Sequence, residues 1–422
     1  MKSKYVYMFA VKGFSSVLLL FSSVLVARVI DLDEFGIYSF ITSLLTVLAF
    51  FALWGTDRLC LREVSTKKAD STFSSGVADT VTSSYAVVIL NLIIISFGIF
   101  ILLPKYTGSN EVWIPIVAVS ILFFRALSRL STSIIKGLHR VILSEILLNL
   151  LRPAVFVALL IAALIFTGGI TALTALWFLC VSFFLTSLLS IIYILKKHPF
   201  SFSLSFCKIR KTYSISAAFF IIGIGLPLLS EINTIELGIL GTDEQVALFS
   251  AARRIVTAVL LGLVSANLII SPKIAPLYRS KDYLGLTNLI RTNNRYVLLI
   301  TIVPAVLLFI FSDQAMYLFG EEYVAASNYL RIMLIGQLAS VFCGPVLLVA
   351  SLADLQRWAS GTLLTSCAVS FIMCEVLIPK YGVYGAVYSA VAGVVLLNIV
   401  LATLIRYKLG VNTTMINILK TS

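Results

Sequence analysis

From the N-terminus to about position 405 the chain holds about a dozen apolar runs, each roughly 20–25 residues long and separated by short polar turns. A helix needs about 20 apolar residues to cross the hydrocarbon slab of a bilayer. Backbone inside lipid must satisfy its own hydrogen bonds, so runs of this length are helices rather than open strands. They fall at 5–30, 36–56, 81–103, 112–135, 146–167, 172–195, 213–240, 246–271, 296–319, 327–352, 359–378 and 383–405. Of 422 residues, 60% are hydrophobic and only 12% charged, with a mean hydropathy of +1.04. That is too little charge to cover a soluble domain of this size. The first run is too long for a signal-peptide core and ends at Arg28 and Asp31 without a small-residue cleavage site, so it is expected to stay attached.

Basic residues set the orientation. With the N-terminus and alternate loops inside, the inner set holds about 22 Lys and Arg residues, from Lys2 and Lys4 through Arg58, Arg62, Lys67, Lys68, Lys196, Lys197 and Arg357 to Lys420. The outer set holds only Arg28, Lys105 and Lys380. Both termini are therefore expected to be cytoplasmic, and the net charge of +13 reads as topology and attraction to anionic headgroups, not as a nucleic-acid signal. The outer turns (31–35, 167–171, 241–245, 320–326, 379–382) barely reverse direction, and the longest, 104–111, leaves no room for an outer-face enzyme site. No Gly-Lys dipeptide exists, which excludes a Walker A loop. His139 and His198 lie in inner loops without a ligand set, and the six cysteines form no CxxC pair, most serving as small apolar fillers. No enzyme activity, metal or bound cofactor is expected.

The chain also repeats itself. Asp33-Glu34-Phe35-Gly36-Ile37-Tyr38-Ser39 follows the first run, and Asp243-Glu244-Gln245-Val246-Ala247-Leu248-Phe249-Ser250 follows the seventh. Leu138-His139-Arg140 has a counterpart in Leu355-Gln356-Arg357, and Gly168 to Ala172 in Gly382 to Ala386, at similar offsets. Three matches at nearly one offset indicate a duplication of six spans. An even number per half keeps the halves in one orientation, predicting lobes related by a pseudo-twofold along the membrane normal with a substrate path between them. The expected division is 1–195 as the N-terminal lobe, 196–212 as a basic cytoplasmic linker and 213–422 as the C-terminal lobe with a short tail.

Ala27-Arg28-Val29-Ile30-Asp31-Leu32-Asp33-Glu34-Phe35-Gly36-Ile37-Tyr38 resembles the first-turn signature of the polysaccharide-export branch of the multidrug/oligosaccharidyl-lipid/polysaccharide (MOP) superfamily. Asp57-Arg58-Leu59-Cys60-Leu61-Arg62-Glu63, Phe319-Gly320-Glu321-Glu322-Tyr323 and Pro379-Lys380-Tyr381-Gly382-Val383-Tyr384-Gly385-Ala386 fit the same pattern, in order, across the chain. The second-lobe turn departs from it, with Ala247 and Phe249 where Gly and Tyr are common. The resemblance implies an all-α, MATE-like membrane fold of twelve helices in two six-helix lobes around a V-shaped cavity. It further implies an O-antigen-type flippase of the bacterial inner membrane, carrying undecaprenyl-diphosphate-linked oligosaccharide from inner to outer leaflet for lipopolysaccharide synthesis. Polymerase and chain-length proteins are its implied partners.

Charged residues inside the runs are the candidate sites, because each costs at least about 2.5–3.5 kcal/mol at the bilayer centre unless it pairs, snorkels or faces water. Arg125 and Arg129, four apart, stack on one face of the fourth helix, and two forked guanidiniums suit a diphosphate. The plainer reading is a structural pair neutralised by a neighbouring acid. Lys12 and Arg152 lie about two turns inside their helices and are cavity candidates; Arg152 equally fits a snorkelling residue or, with Pro153, a helix start. Arg253 and Arg254 point about 100° apart, so one of them faces inward. Arg331 is placed to meet Glu321 or Glu322, and Glu375 to snorkel outward. Gly223, Gly225 and Pro227 interrupt the seventh helix, with Glu231 one turn beyond. A broken helix with a mid-depth acid is a common coupling site, which makes Pro227, Glu231 and Glu236 candidates for gating and for coupling to a proton or sodium gradient. The plainer reading of Glu231 is a salt bridge to Arg253 or Arg254. Asp57, Arg58, Arg62 and Glu63 read as an interfacial cluster with an intra-loop ion pair; the resemblance places them at the inner portal.

Two other functions fit the architecture. A drug/cation antiporter of the same superfamily would favour an acidic cavity over the basic one inferred, and a membrane glycan polymerase would need the outer loops that are missing.

Overall fold

A computed structural model describes residues 2–66, 75–107, 112–167, 169–197, 205–259 and 261–415. Among them there is no strand. His198, Lys67, Lys68 and Lys420 lie outside the described residues, as does the middle of the expected linker. The chain divides into two compact units, Met1–Pro227 and Leu228–Ser422.

The first unit is built from α1 (Lys2–Val29), α2 (Leu32–Leu53), the short α3 (Thr56–Ser65), α4 (Ser75–Thr107), α5 (Trp113–Gly137), α6 (Val141–Glu145) running through a π turn (Ile146–Leu151) into α7 (Arg152–Thr167), α8 (Ala172–Lys197) and the first half of α9 (Phe206–Leu240). Asp33 and Glu34 in the first turn of α2 oppose the positive helix end. α2 and α5 are the most enclosed spans. Ile121, Leu122, Leu130 and Ile134 of α5 are fully buried with Phe35, Ile41 and Leu45 of α2 and Phe183 of α8. Arg152-Pro153 opens α7, as expected of a helix start, and a π turn joins it to α6, so that 141–166 forms one span.

The second unit continues with the rest of α9, then α10 (Asp243–Val259), α11 (Leu261–Arg279), α12 (Tyr283–Ile310), α13 (Ser312–Tyr317), a 3-10 turn (Glu322–Ala326), α14 (Ser327–Cys343), α15 (Val346–Leu352), α16 (Gln356–Tyr381) and α17 (Val383–Leu409). Its core gathers Ile274, Leu286, Ile290, Val349, Leu401 and Ile405. α14 and α15 form one span bent by 42° at Gly344-Pro345.

Nine described helices are long and apolar enough to cross a membrane, ten with the bent pair. The other two expected runs fall on α1 and on α10 with α11. Apolar side chains cover the outside: Phe97, Ile93, Ile165, Phe166, Ile222 and Leu307 are all exposed, a surface that lipid rather than water must solvate.

The seventh helix differs from expectation. α9 runs unbroken through Gly223, Gly225 and Pro227. Both flanks are held by packing, which offsets the one hydrogen bond that proline removes. Trp54 stacks on Tyr213 at 4.9 Å and on Phe220 at 4.5 Å. Beyond the proline, Ser370 Oγ donates to Asn233 Oδ1 at 3.0 Å. The division between the two compact units falls at Pro227, inside α9.

The internal repeat has a structural counterpart within each unit. In the first, the Glu34 carboxylate accepts a 2.7 Å hydrogen bond from the backbone N–H of Ala172, at the start of α8. In the second, the Gln245 side-chain amide lies against Gly382, at the start of α17. The polar residue of the turn opening the second span thus meets the sixth span's start in both halves.

Candidate substrate-binding and coupling sites

In the first unit, α5, α7 and α8 bring two predicted arginines, Arg125 and Arg152, together over one ring, with a third, Arg129, over a second ring one turn along α5. Arg125 sits midway along α5, roughly 18 Å of helix from either end, where it cannot snorkel. Its guanidinium lies 5.5 Å from the centre of the Phe183 ring, and that of Arg152 lies 5.1 Å from the same ring. Phe183 is buried, so its face holds both cations against an apolar floor. One turn along α5, Arg129 stacks 4.0 Å over Phe50 of α2 and reaches Asp57 of α3 at 3.5 Å. Asp57 is buried, and it pairs with Arg129 rather than within its own loop. The intra-loop pair is Arg62–Glu63, at 2.7 Å. All three arginines are half-buried, so their forks are held in place but not sealed off. Lys12 lies on α1, with its side chain outside the described residues.

α3 owes its position to a glycine. Gly55 takes φ +77, and a Cβ there would meet the Phe220 N and Ser216 O of α9 at 2.5 Å. With α3 pressed on α9, Arg62 lies 5.2 Å from the centre of the Phe219 ring. The exposed Arg58 lays its guanidinium against Gly223, where a Cβ would come within 3.0 Å. The interfacial cluster is thus packed on the seventh helix.

In the second unit, Glu231 takes the salt-bridge arrangement. Its carboxylate meets the Arg253 guanidinium at 2.7 Å, and Arg253 also donates to the Ser230 carbonyl. Arg254, the adjacent residue, lies within electrostatic reach of Tyr323. Glu236, five residues beyond Glu231, is buried beside Glu375 of α16. Glu375 is exposed and lies within electrostatic reach of Glu236. The same face carries Asn233, Cys374 and Ser370, with Cys374 Sγ 3.1 Å from Asn233 Oδ1. Arg331 pairs with Asp313 at 3.2 Å and with Asn328, not with Glu321 or Glu322, since α13 folds back beside α14.

Phe50, Phe183 and Glu375 are the members that sequence reasoning missed. Apolar rings at helical spacing carry no mark that separates a cation platform from core, and Glu375 stands one turn from a helix end, where an acid is ordinarily solvated.

A family model described as polysaccharide biosynthesis protein matches residues 2–275. None of the curated proteins matches the sequence. Among solved structures, an inward-facing MATE-family multidrug resistance transporter of the MOP superfamily is similar at TM-score 0.74 and 12% identity, covering 94% of each chain. The lipid II flippase MurJ in an inward closed conformation is similar at TM-score 0.75 and 13% identity, over 94% of this chain and 87% of that one. A MOP-superfamily transporter from Pyrococcus furiosus gives 0.59 and 14%, over 96% and 95%. The TM-scores, over nearly the full chain, establish a shared all-α transporter fold. With the family model spanning well over half of the sequence, the chain is a multi-pass membrane protein of the polysaccharide biosynthesis protein family.

Proposed function

We propose that the chain is a flippase for undecaprenyl-diphosphate-linked oligosaccharide, moving an O-antigen or similar repeat unit from the inner to the outer leaflet of a bacterial inner membrane. The observation that carries this reading is the arrangement of Arg125, Arg129 and Arg152 around Phe183 and Phe50. Guanidiniums on aromatic floors keep planar donor forks aimed and only partly desolvated, an arrangement suited to the oxygens of a diphosphate. Asp57 on Arg129 offers the site a counter-ion when no substrate is bound, and the incoming anion then competes for the same fork. The basic character weighs against a drug/cation antiporter. The fold alone does not discriminate, since multidrug and lipid II transporters both share it.

Transport in this reading proceeds by alternating access, driven by a proton or sodium gradient, with both termini cytoplasmic. Glu236, buried on the same helix as Glu231, joins it as a candidate coupling residue. The Glu231–Arg253 bridge locks α9 to α10, and protonation of Glu231 would release it. Polymerase and chain-length proteins would take up the delivered repeat unit.

The test is surface polysaccharide in a strain lacking this gene, complemented at matched expression. Arg125→Ala, Arg129→Ala and Glu231→Gln are each expected to lower it at least tenfold. Full complementation by all three, or drug resistance without any change in glycan, would contradict the reading.

A further inference from the structure

Away from the arginine cluster, α16 and α17 leave a groove of about 380 Å³ near the end where α16 begins and α17 finishes. Its lining includes Arg357, Trp358, Gly361 and Thr365 on one wall and Val400 and Leu404 on the other. Gly361 faces open space, with nothing within 4 Å of a would-be Cβ, so the groove floor there is bare backbone. From Arg357 to Thr365 the groove runs roughly 12 Å along the helix, a little less than half of the ~30 Å hydrocarbon thickness. It is therefore confined to one leaflet. At its mouth the Lys408 ammonium sits 4.5 Å from the centre of the exposed Trp358 ring. Arg357 and Lys408 are both exposed, one on each helix, and neither forms an ion pair among the described residues. Asp354, the nearest acid in sequence, sits in the turn ahead of α16 and is exposed.

We propose that this groove binds an anionic phospholipid of the adjoining leaflet, its phosphodiester held between Arg357 and Lys408 and one acyl chain laid along Gly361, Thr365 and Val400. The mouth supplies charge and an amphipathic ring at headgroup level, and the depth below it is apolar and chain-sized. One separate cation on each helix fits a single phosphodiester, whereas the forked arginines of the first unit suit a diphosphate. The assignment does not depend on what the protein transports, so loss of flippase activity in any variant would leave it standing.

The test uses the full chain in phosphatidylcholine vesicles containing a minor fraction of chain-brominated lipid, carried on either phosphatidylglycerol or phosphatidylcholine. The Trp358 signal is taken as the difference between the parent and Trp358→Phe. Brominated phosphatidylglycerol is expected to quench Trp358 more strongly than brominated phosphatidylcholine at equal mole fraction. Arg357→Gln and Lys408→Gln should each reduce that preference roughly fivefold, as expected for one cation near an anionic surface. Gly361→Leu, which suits a helix and fills the groove, should abolish the excess quenching while leaving the helical circular dichroism unchanged. Equal quenching by the two headgroups would overturn the proposal, as would undiminished excess quenching in Gly361→Leu. Displacement of the brominated phosphatidylglycerol by equimolar undecaprenyl diphosphate would also overturn it, assigning the groove to the transported lipid.

Discussion

At the scale of single residues, the first unit holds its cations on aromatic rings and the second holds its acids on specific partners. Phe183 supports two guanidiniums and is itself buried, so Phe183→Ala should cost about 3–5 kcal/mol in stability and also loosen Arg125 and Arg152. Phe183→Leu should recover most of the stability and little of the transport, a split that thermal unfolding and surface-glycan measurements would resolve. The Glu231–Arg253 bridge is half-buried, and breaking it from one side leaves a charge without its partner. Arg253→Gln is expected to lower the unfolding temperature clearly, and adding Glu231→Gln should restore part of that loss, a coupling that a double-mutant cycle reads directly. The sequence shows which charges lie at membrane depth because each is costly there, and that cost singled out Arg125, Arg129, Arg152 and Glu231. It shows partners where they are close along the chain, as for Arg62–Glu63 and Glu231–Arg253, but not distant ones. The Asp57–Arg129 and Glu236–Glu375 contacts join residues separated by 72 and 139 positions, and only tertiary packing decides such pairs.

At the scale of elements, the junction of α2, α3 and α9 is the point where local backbone geometry governs the site. Gly55 combines a left-handed conformation with a backbone approach that no side chain can share. Gly55→Ala should therefore lower the yield of folded protein and shift unfolding by at least about 1–3 kcal/mol. A size-exclusion thermal-stability assay would measure it, and an unchanged profile would remove Gly55 from the account. Helix positions were legible because apolar period and length reflect the bilayer directly. Helix continuity was less so. Gly223, Gly225 and Pro227 read as breaks by propensity, yet packing by Trp54 on one flank and Ser370 on the other keeps α9 whole. At 327–352 the opposite holds: a single apolar run conceals a 42° bend, because Gly344 with positive φ and Pro345 end α14.

At the scale of the whole molecule, each of the two compact units carries a matching turn contact and exposed apolar side chains. Orientation can be read from the cysteines. Cys207 is exposed, whereas Cys60, Cys180, Cys343, Cys367 and Cys374 are buried. Burial pushes the Cys60 thiol up to about 12, so it stays protonated and unreactive from neutral pH to well above pH 9. An impermeant maleimide should therefore label Cys207 alone, and only in inverted vesicles if the basic loops are cytoplasmic; labelling in intact cells would reverse the topology. The claim on which the rest depends is that the α5–α7 arginines receive a lipid diphosphate. Its most direct measurement is the flipping rate of a fluorescent undecaprenyl-diphosphate oligosaccharide in proteoliposomes, for the parent and for Arg125→Ala/Arg129→Ala/Arg152→Ala at equal reconstitution. The account predicts a rate for the triple variant indistinguishable from protein-free vesicles, and a variant that flips at the parental rate would contradict it.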